Sequence, residues 1–268
     1  MVIPVGDINP TRRTPFVTVA FLAANIVAFV VLQPKGQTCE AAAFLYEWAA
    51  VPRELLGFEQ LDPTQLREVI GGCAGQVGEK SVLLSAVTAM FLHGGWFHLL
   101  GNMLYLWVFG NNVEDRLGHG RFVFFYVVGG LAATYTFAVL NPGSSEVLVG
   151  ASGAIAAILG AYLVLYPRAG VHTYVPFPLY LAAAIIPGAR IRGWFLIFAI
   201  VTLPAWLVLG LWFVLQVMSS GATVTGGGVA YEAHVAGFAA GIVLLLLLDR
   251  RRARRGRTPF HEPLRRRR

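Results

Sequence analysis

Apolar residues along this chain gather into runs of about twenty, the length an α-helix needs to cross the ~30 Å hydrocarbon core of a bilayer. Six such runs are read, at 16–33, 97–113, 122–140, 147–166, a fifth within 193–218, and 229–248. A seventh stretch, 176–187, is short and bounded by prolines. It is expected to be interfacial or re-entrant, not spanning. The longest connection, 34–82, carries Trp48, Leu55, Leu56, Phe58 and Leu61, enough apolar side chains for short helices lying in the interface. The pattern predicts an all-α, polytopic membrane protein built as a six-helix bundle. Its expected parts are an N-terminal segment 1–15, a membrane domain 16–248 and a basic tail 249–268.

Composition agrees with that class. Only 13% of the 268 residues are charged, against about 25% in a soluble domain, and the mean hydropathy is +0.64. No cleavable signal pattern is read before the run that starts near Phe16, so a plasma membrane is the expected destination, with a bacterial source suggested by the arginine- and alanine-rich composition. Lys and Arg favour cytoplasmic loops. With the N-terminus placed inside, 17 of the 21 basic residues fall on inner segments, and only Lys35, Arg53, Arg67 and Lys80 fall outside. Both termini are therefore expected in the cytoplasm. The arginine-rich tail reads as a topology anchor touching anionic lipid, and nucleic acid is not expected as a partner. Both cysteines, Cys39 and Cys73, lie in the long outer loop, on the oxidising side, where they form either a bridge or two unpaired thiols.

Polar residues inside the apolar runs carry the chemistry. His98 and Asn102 open the second run four residues apart, so a helix places them on one face. Two donors on one face suit a developing oxyanion, or else interhelical hydrogen bonding. Ser152 lies in Gly150-Ala151-Ser152-Gly153, at the start of the fourth run, where unpaired backbone N–H groups can hold an anion. Ser152, Ala156 and Gly160 repeat every four residues, as do Gly153, Ala157 and Ala161. His234 opens the sixth run, beside a stripe formed by Ala233, Gly237 and Gly241. Small residues at this spacing let helices approach closely. A crossing of the fourth and sixth helices along these stripes brings an imidazole to a hydroxyl, the pairing of a general base with a nucleophile. The alternative is that Ser152 is one more small packing residue. Glu232, two positions before His234, points away on a helix, so a dyad without a carboxylate is expected.

Together these residues resemble the rhomboid family of intramembrane serine proteases. The resemblance rests on the histidine-xxx-asparagine pair His98 and Asn102, on Gly150-Ala151-Ser152-Gly153, and on Ala233-His234 with Gly237 and Gly241. It implies a six-span rhomboid-like bundle that cleaves membrane helices of other proteins. Ser152 would be nucleophile, His234 base and then acid, and His98, Asn102 and the Ser152 N–H the oxyanion site. It implies that a substrate helix unwinds near the outer leaflet and enters beside the fifth span, under a cap formed by the loops 141–150 and 219–228. His93 is expected to be structural or water-retaining, and Glu114 and Arg116 structural. Two departures stand out. Many relatives carry an aromatic residue four positions after the serine, where this chain has Ala156, so another group must orient His234. The Trp-Arg pair of some relatives is missing from the first outer loop.

Other readings fit less well. A zinc protease needs His-Glu-xx-His, which the chain lacks. An aspartyl protease needs two acids deep in its spans, and Asp115 and Asp249 sit at span ends. No cofactor motif appears. A rhomboid-fold pseudoprotease that binds client helices without cutting generally lacks the serine or the histidine, and this chain has both. A transporter would show paired charges inside spans or an internal repeat.

Overall fold

A computed structural model of the chain describes residues 3–176, 187, 190–194, 198–220 and 230–249. A strand, β1 (Ile3–Asp7), precedes the first long helix, α1 (Phe16–Val27), which continues as a π-turn over Ala28–Leu32. Four short helical pieces follow: α2 (Cys39–Trp48), α3 (Pro52–Gly57), α4 (Pro63–Ile70) and a 3-10 turn at Gly71–Gln76. Then come α5 (Val82–Thr88), extended by a 3-10 turn to Phe91, and α6 (Trp96–Tyr105), which runs through a π-turn at Leu106–Gly110 into α7 (Asn111–Leu117). The bundle is completed by α8 (His119–Leu140), α9 (Ser152–Leu165), α10 (Ala205–Ser219) and α11 (Tyr231–Leu248).

All six expected runs hold a helix. Among the described residues α8 and α11 are long and apolar enough to span alone. Val82–Phe91 and Trp96–Leu117 qualify as one broken span bent by 80°, and Phe16–Leu32, α9 and α10 are shorter apolar helices. The fourth run begins its helix later than the apolar pattern suggests, at Ser152 and not at 147. The cause is local: Gly150 adopts a positive φ of 121° and Leu148 pairs with Ala50, so the chain enters the bundle extended. With 14 residues, α9 is about 21 Å long, shorter than the apolar core is thick.

Contacts between connections order the helices without reference to charge. Arg12 and Arg13 N–H groups donate to Asp115 Oδ1, and the Arg116 guanidinium pairs with Asp249 at 2.7 Å. These residues, flanking the first, second and sixth runs, share one end of the bundle. At the opposite end Tyr46 donates to the Ser145 carbonyl, Ala50 pairs with Leu148, and Gly150 N–H donates to the Ala89 carbonyl. Each pairing joins segments separated by an even number of helical crossings, as alternation across a membrane requires.

A sheet that the apolar pattern did not foresee closes the Arg116 end. Strands β2 (Gly170–Pro176), β3 (Arg190–Trp194) and β4 (Phe198–Pro204) join β1 in the antiparallel order β1-β2-β4-β3. In β2, Val171, Thr173 and Val175 face inward and His172 and Tyr174 do not, the period of two of a half-buried strand. Thr173 lies opposite Val201, and Val171 opposite Leu203. The fifth helix therefore starts only at Ala205, since residues 198–204 of that run are strand. The expected re-entrant stretch at 176–187 lies almost wholly outside the described residues, as do 221–228 of the expected cap and the tail from 250.

Carboxylates fasten the ends of this frame. α1 has no side-chain cap of its own. Glu114 reaches across to accept from the Val17 and Thr18 N–H groups and the Thr18 hydroxyl at 2.6–2.9 Å, supplying a negative charge at a helix N-terminus. Glu114 and Arg116 thus have the structural contacts expected of them. Asp7 is held by the Tyr162 hydroxyl at 2.6 Å and Asn112 Nδ2 at 2.9 Å. Burial pushes its carboxyl above the usual range, opposed by those hydrogen bonds.

In the long loop, Lys80 and Glu54 form a buried ion pair, and Glu54 also accepts from Leu61 N–H. Cys39 and Cys73 are bonded there, with Cα atoms 4.9 Å apart and a sequence separation of 34. Closing a loop of that length stabilises by about 3–4 kcal/mol through the unfolded chain. Alkylation of the intact protein should leave both cysteines unmodified, and alkylation after reduction should add two groups by mass. Loss of the bridge in Cys39→Ser should make the loop cleavable by added protease at a lower temperature than in the parent. Full labelling without reductant would contradict this.

Candidate active site

The centre of the bundle is α9. Residues Ala154 through Tyr162 are all buried, as suits a helix apolar on every side. Its neighbours approach to backbone contact. A methyl group at Gly237 would lie 2.3 Å from the Gly153 carbonyl oxygen, and one at Gly241 would lie 2.0 Å from that of Ala157. These contacts are four residues apart on both helices, so α9 and α11 run parallel. One at Gly160 would lie 2.2 Å from the Phe238 carbonyl oxygen. On the other side, a methyl at Gly153 would meet the Ala133 methyl of α8 at 2.6 Å. All four glycines of the expected packing stripes sit where only hydrogen fits. The crossing at Gly153 and Gly237 puts Ser152 and His234 at the same end of the paired helices, each within one turn of that contact.

The turn before α9 brings in the second pair. Gly150 has φ +121°, and a side chain there would strike the His98 ring at 2.8 Å and approach Asn102 Nδ2 at 3.5 Å. His98 and Asn102 therefore stand side by side against the backbone leading into Ser152. Asn102 Nδ2 is buried and has no hydrogen-bond partner among the described residues. His98 Nδ1 accepts from Gly94 N–H at 3.3 Å, which leaves the proton on Nε2, the nitrogen beside Gly150. The first intrahelical bond of α9 joins Ile155 N–H to the Ala151 carbonyl. The N–H groups of Ser152, Gly153 and Ala154 come before it and lack helical partners. Donors from α6 and from the start of α9 thus converge on one small region.

His234 has the complementary protonation. Its Nδ1 lies 2.7 Å from Gln216 Oε1 on α10. An amide oxygen only accepts, so Nδ1 carries the proton and Nε2 keeps its lone pair. The Trp212 indole lies over the ring at a centroid distance of 5.9 Å and a tilt of 32°, and Tyr231 meets its edge at 6.5 Å. Among the described residues the Ser152 hydroxyl makes no hydrogen bond to His234. Such bonds are commonly long before substrate arrives.

His93 is fully buried, with both ring nitrogens unpartnered among the described residues. Its ring meets that of His98 edge-on at 5.1 Å. The Gln33 side chain clamps its backbone, donating to the His93 carbonyl at 2.7 Å and accepting from its N–H at 3.1 Å. That clamp fixes the break between α5 and α6, and so the position from which His98 projects. Gln33, Trp212 and Gln216 were not singled out from sequence. For Gln216 a signal existed: an isolated amide in an apolar run needs a partner.

Comparison with known proteins follows the same lines. The Rhomboid domain family model matches residues 80–251. RHOMBOID-like protein 1 of Arabidopsis thaliana is 31% identical over 159 residues, 56% of this chain and 39% of that protein. RHOMBOID-like protein 5 of the same plant is 37% identical over 86 residues, 32% of this chain and 27% of its own length. Rhomboid protease GluP of Bacillus subtilis is 42% identical over 77 residues, 29% of this chain and 15% of the relative. In each case the match spans well under two thirds of the relative. With the family model covering more than half of the chain, the protein belongs to the rhomboid family of polytopic membrane proteins.

Proposed function

We propose that the protein is an intramembrane serine endopeptidase that cleaves membrane helices of other proteins with Ser152 and His234. The observation that carries this reading is the crossing at Gly153 and Gly237, which brings a hydroxyl and an unprotonated imidazole nitrogen to the same end of two parallel helices. Family membership supports it, since some relatives are named proteases.

Ser152 Oγ attacks the scissile carbonyl carbon while His234 Nε2 takes its proton. The carbonyl oxygen becomes an oxyanion, held by the Ser152 N–H, Asn102 Nδ2 and His98 Nε2–H. His234 returns the proton to the leaving amine as the C–N bond breaks. Water then attacks the acyl-enzyme with the same base, releasing the new carboxylate. The substrate must unwind locally, because a helical carbonyl is already hydrogen-bonded. The start of α9, a helix of 14 residues that is shorter than a bilayer core is thick, supports chemistry within the membrane, with lipid as the protein's other partner. Arginine bias supports a topology with both termini in the cytoplasm and the site toward the outer face of a plasma membrane.

Cleavage of a single-span substrate in proteoliposomes, with fluorophosphonate labelling of Ser152, tests the reading. No labelling and no cleavage by the wild type would favour a pseudoprotease. Asn102→Ala should lower kcat by about 100-fold with little change in KM, because the amide acts only on the developing oxyanion. A rise in KM with kcat unchanged would assign Asn102 to substrate binding instead.

A further inference from the structure

We propose that Gln216 is the positioning residue of His234, holding the imidazole through Nδ1 so that Nε2 faces Ser152. The proposal rests on the protease reading for its consequence in catalysis, and on geometry for the contact itself. Without a third member, the ring of a dyad can rotate about two torsions and exchange tautomers, and each freedom lowers the fraction poised to accept a proton.

The family's usual restraint, an aromatic ring four positions after the serine, is closed to this chain. Ala156 is fully buried, and a methyl at Gly237 would already lie 3.2 Å from its Cβ. A ring at 156 would separate α9 from α11. The two groups that take over come from one face of α10. Trp212 and Gln216 are four residues apart and both half-buried, whereas Leu211, Val214, Leu215, Val217 and Met218 are exposed toward lipid. Trp212 also stacks on Phe238 at 6.1 Å, and Phe213 meets that ring at 4.5 Å, so α10 is registered against α11 independently of the histidine. Gln216 then reaches Nδ1 at 2.7 Å. The amide carries no charge, so it fixes tautomer and direction where a carboxylate would have to be desolvated.

The test uses full-length protein with Gln216→Met, which keeps the length and removes the acceptor, and Gln216→Glu, which restores one. In Gln216→Met, kcat and the rate of fluorophosphonate labelling at Ser152 should fall together by about tenfold or more, with KM within about twofold. Gln216→Glu should recover most of both rates. A packing role would move the melting temperature and leave the labelling rate alone. Side-chain 15N NMR of His234 reads the contact without any substrate. The wild type should show a single Nδ1-protonated form, and Gln216→Met a mixture of tautomers. An unchanged tautomer in Gln216→Met, or labelling within twofold of wild type, overturns the proposal. Should the wild type neither cleave nor label while the tautomer still depends on Gln216, the protease reading fails and the positioning contact stands.

Discussion

Ser152→Ala should reduce cleavage of a single-span substrate by roughly 1,000-fold or more, His234→Ala by a similar factor, and the double variant by no more than either alone. The reason is that one event is being removed. Without the hydroxyl there is no acyl-enzyme, and without the imidazole the hydroxyl keeps its proton and is a poor nucleophile. The residual rate comes from the oxyanion donors, which both variants keep. Ser152→Ala should not disturb the fold, because Ser152 is only half-buried and its hydroxyl makes no hydrogen bond among the described residues, whereas His234→Ala also loses the Gln216 and Trp212 contacts. The melting temperature of Ser152→Ala should agree with that of the parent within a few degrees. Losses that multiply in the double variant would show two independent roles and no dyad. Equal cleavage by all forms would mean that a contaminating protease was measured and that Ser152 packs helices.

Much of this arrangement is legible in the sequence because membrane helices announce themselves by length, and helix contacts by small residues at fixed spacing. The stripe through Gly153 and Ala157 and that through Gly237 and Gly241 meet at backbone distance. What the sequence hid has physical causes too. Strands β1 and β2 are 5 and 7 residues long, too short for a window of about twenty residues to register. The alternation of Val171, Thr173 and Val175 is visible only when a period of two is sought. Residues 198–204 are as apolar as the helix they lead into, so composition cannot mark where strand becomes helix. Gln216 was hidden because a polar residue at the far end of a run has an ordinary role at the interface. Only the fold shows which histidine it meets.

The sheet changes how the frame is understood. α9 carries the nucleophile candidate at one end and Tyr162 near the other, where the Tyr162 hydroxyl holds Asp7. β1 pairs with β2, which follows α9 in sequence. The central helix is thus tied at its sheet end by the N-terminal strand, and at its serine end by the Gly150 turn and the glycine contact with α11. α10 is tied at its start, where Ala205 and Trp206 N–H groups donate to the Ala169 and Pro167 carbonyls. At its other end it contacts the histidine. Position at the site is therefore set by helices anchored at the opposite end of the bundle.

Gly237→Ala should cost more activity than any other single added methyl on the α9–α11 contact. The added methyl would sit 2.3 Å from the Gly153 carbonyl oxygen and 3.2 Å from the Ala156 methyl, and the nearest obstacle is backbone, which cannot rotate away. α9 and α11 must separate by the better part of an ångström. Overpacking of this kind costs about 1–3 kcal/mol, which for a protein of this size corresponds to a melting temperature lower by roughly 2–12 °C. The same separation moves His234 away from Ser152, and a misplacement of about 1 Å can cost on the order of 100-fold in rate. Gly241→Ala makes a useful comparison, since its methyl would meet the Ala157 carbonyl oxygen at 2.0 Å, one turn farther from the histidine. It should destabilise at least as much, and lose less activity at temperatures where both variants remain folded. Gly210→Ala, on α10 with nothing within 4 Å of the added methyl, should be neutral in both respects. If Gly237→Ala melts early yet keeps full kcat below its transition, the crossing supports the fold and does not set the distance between hydroxyl and imidazole.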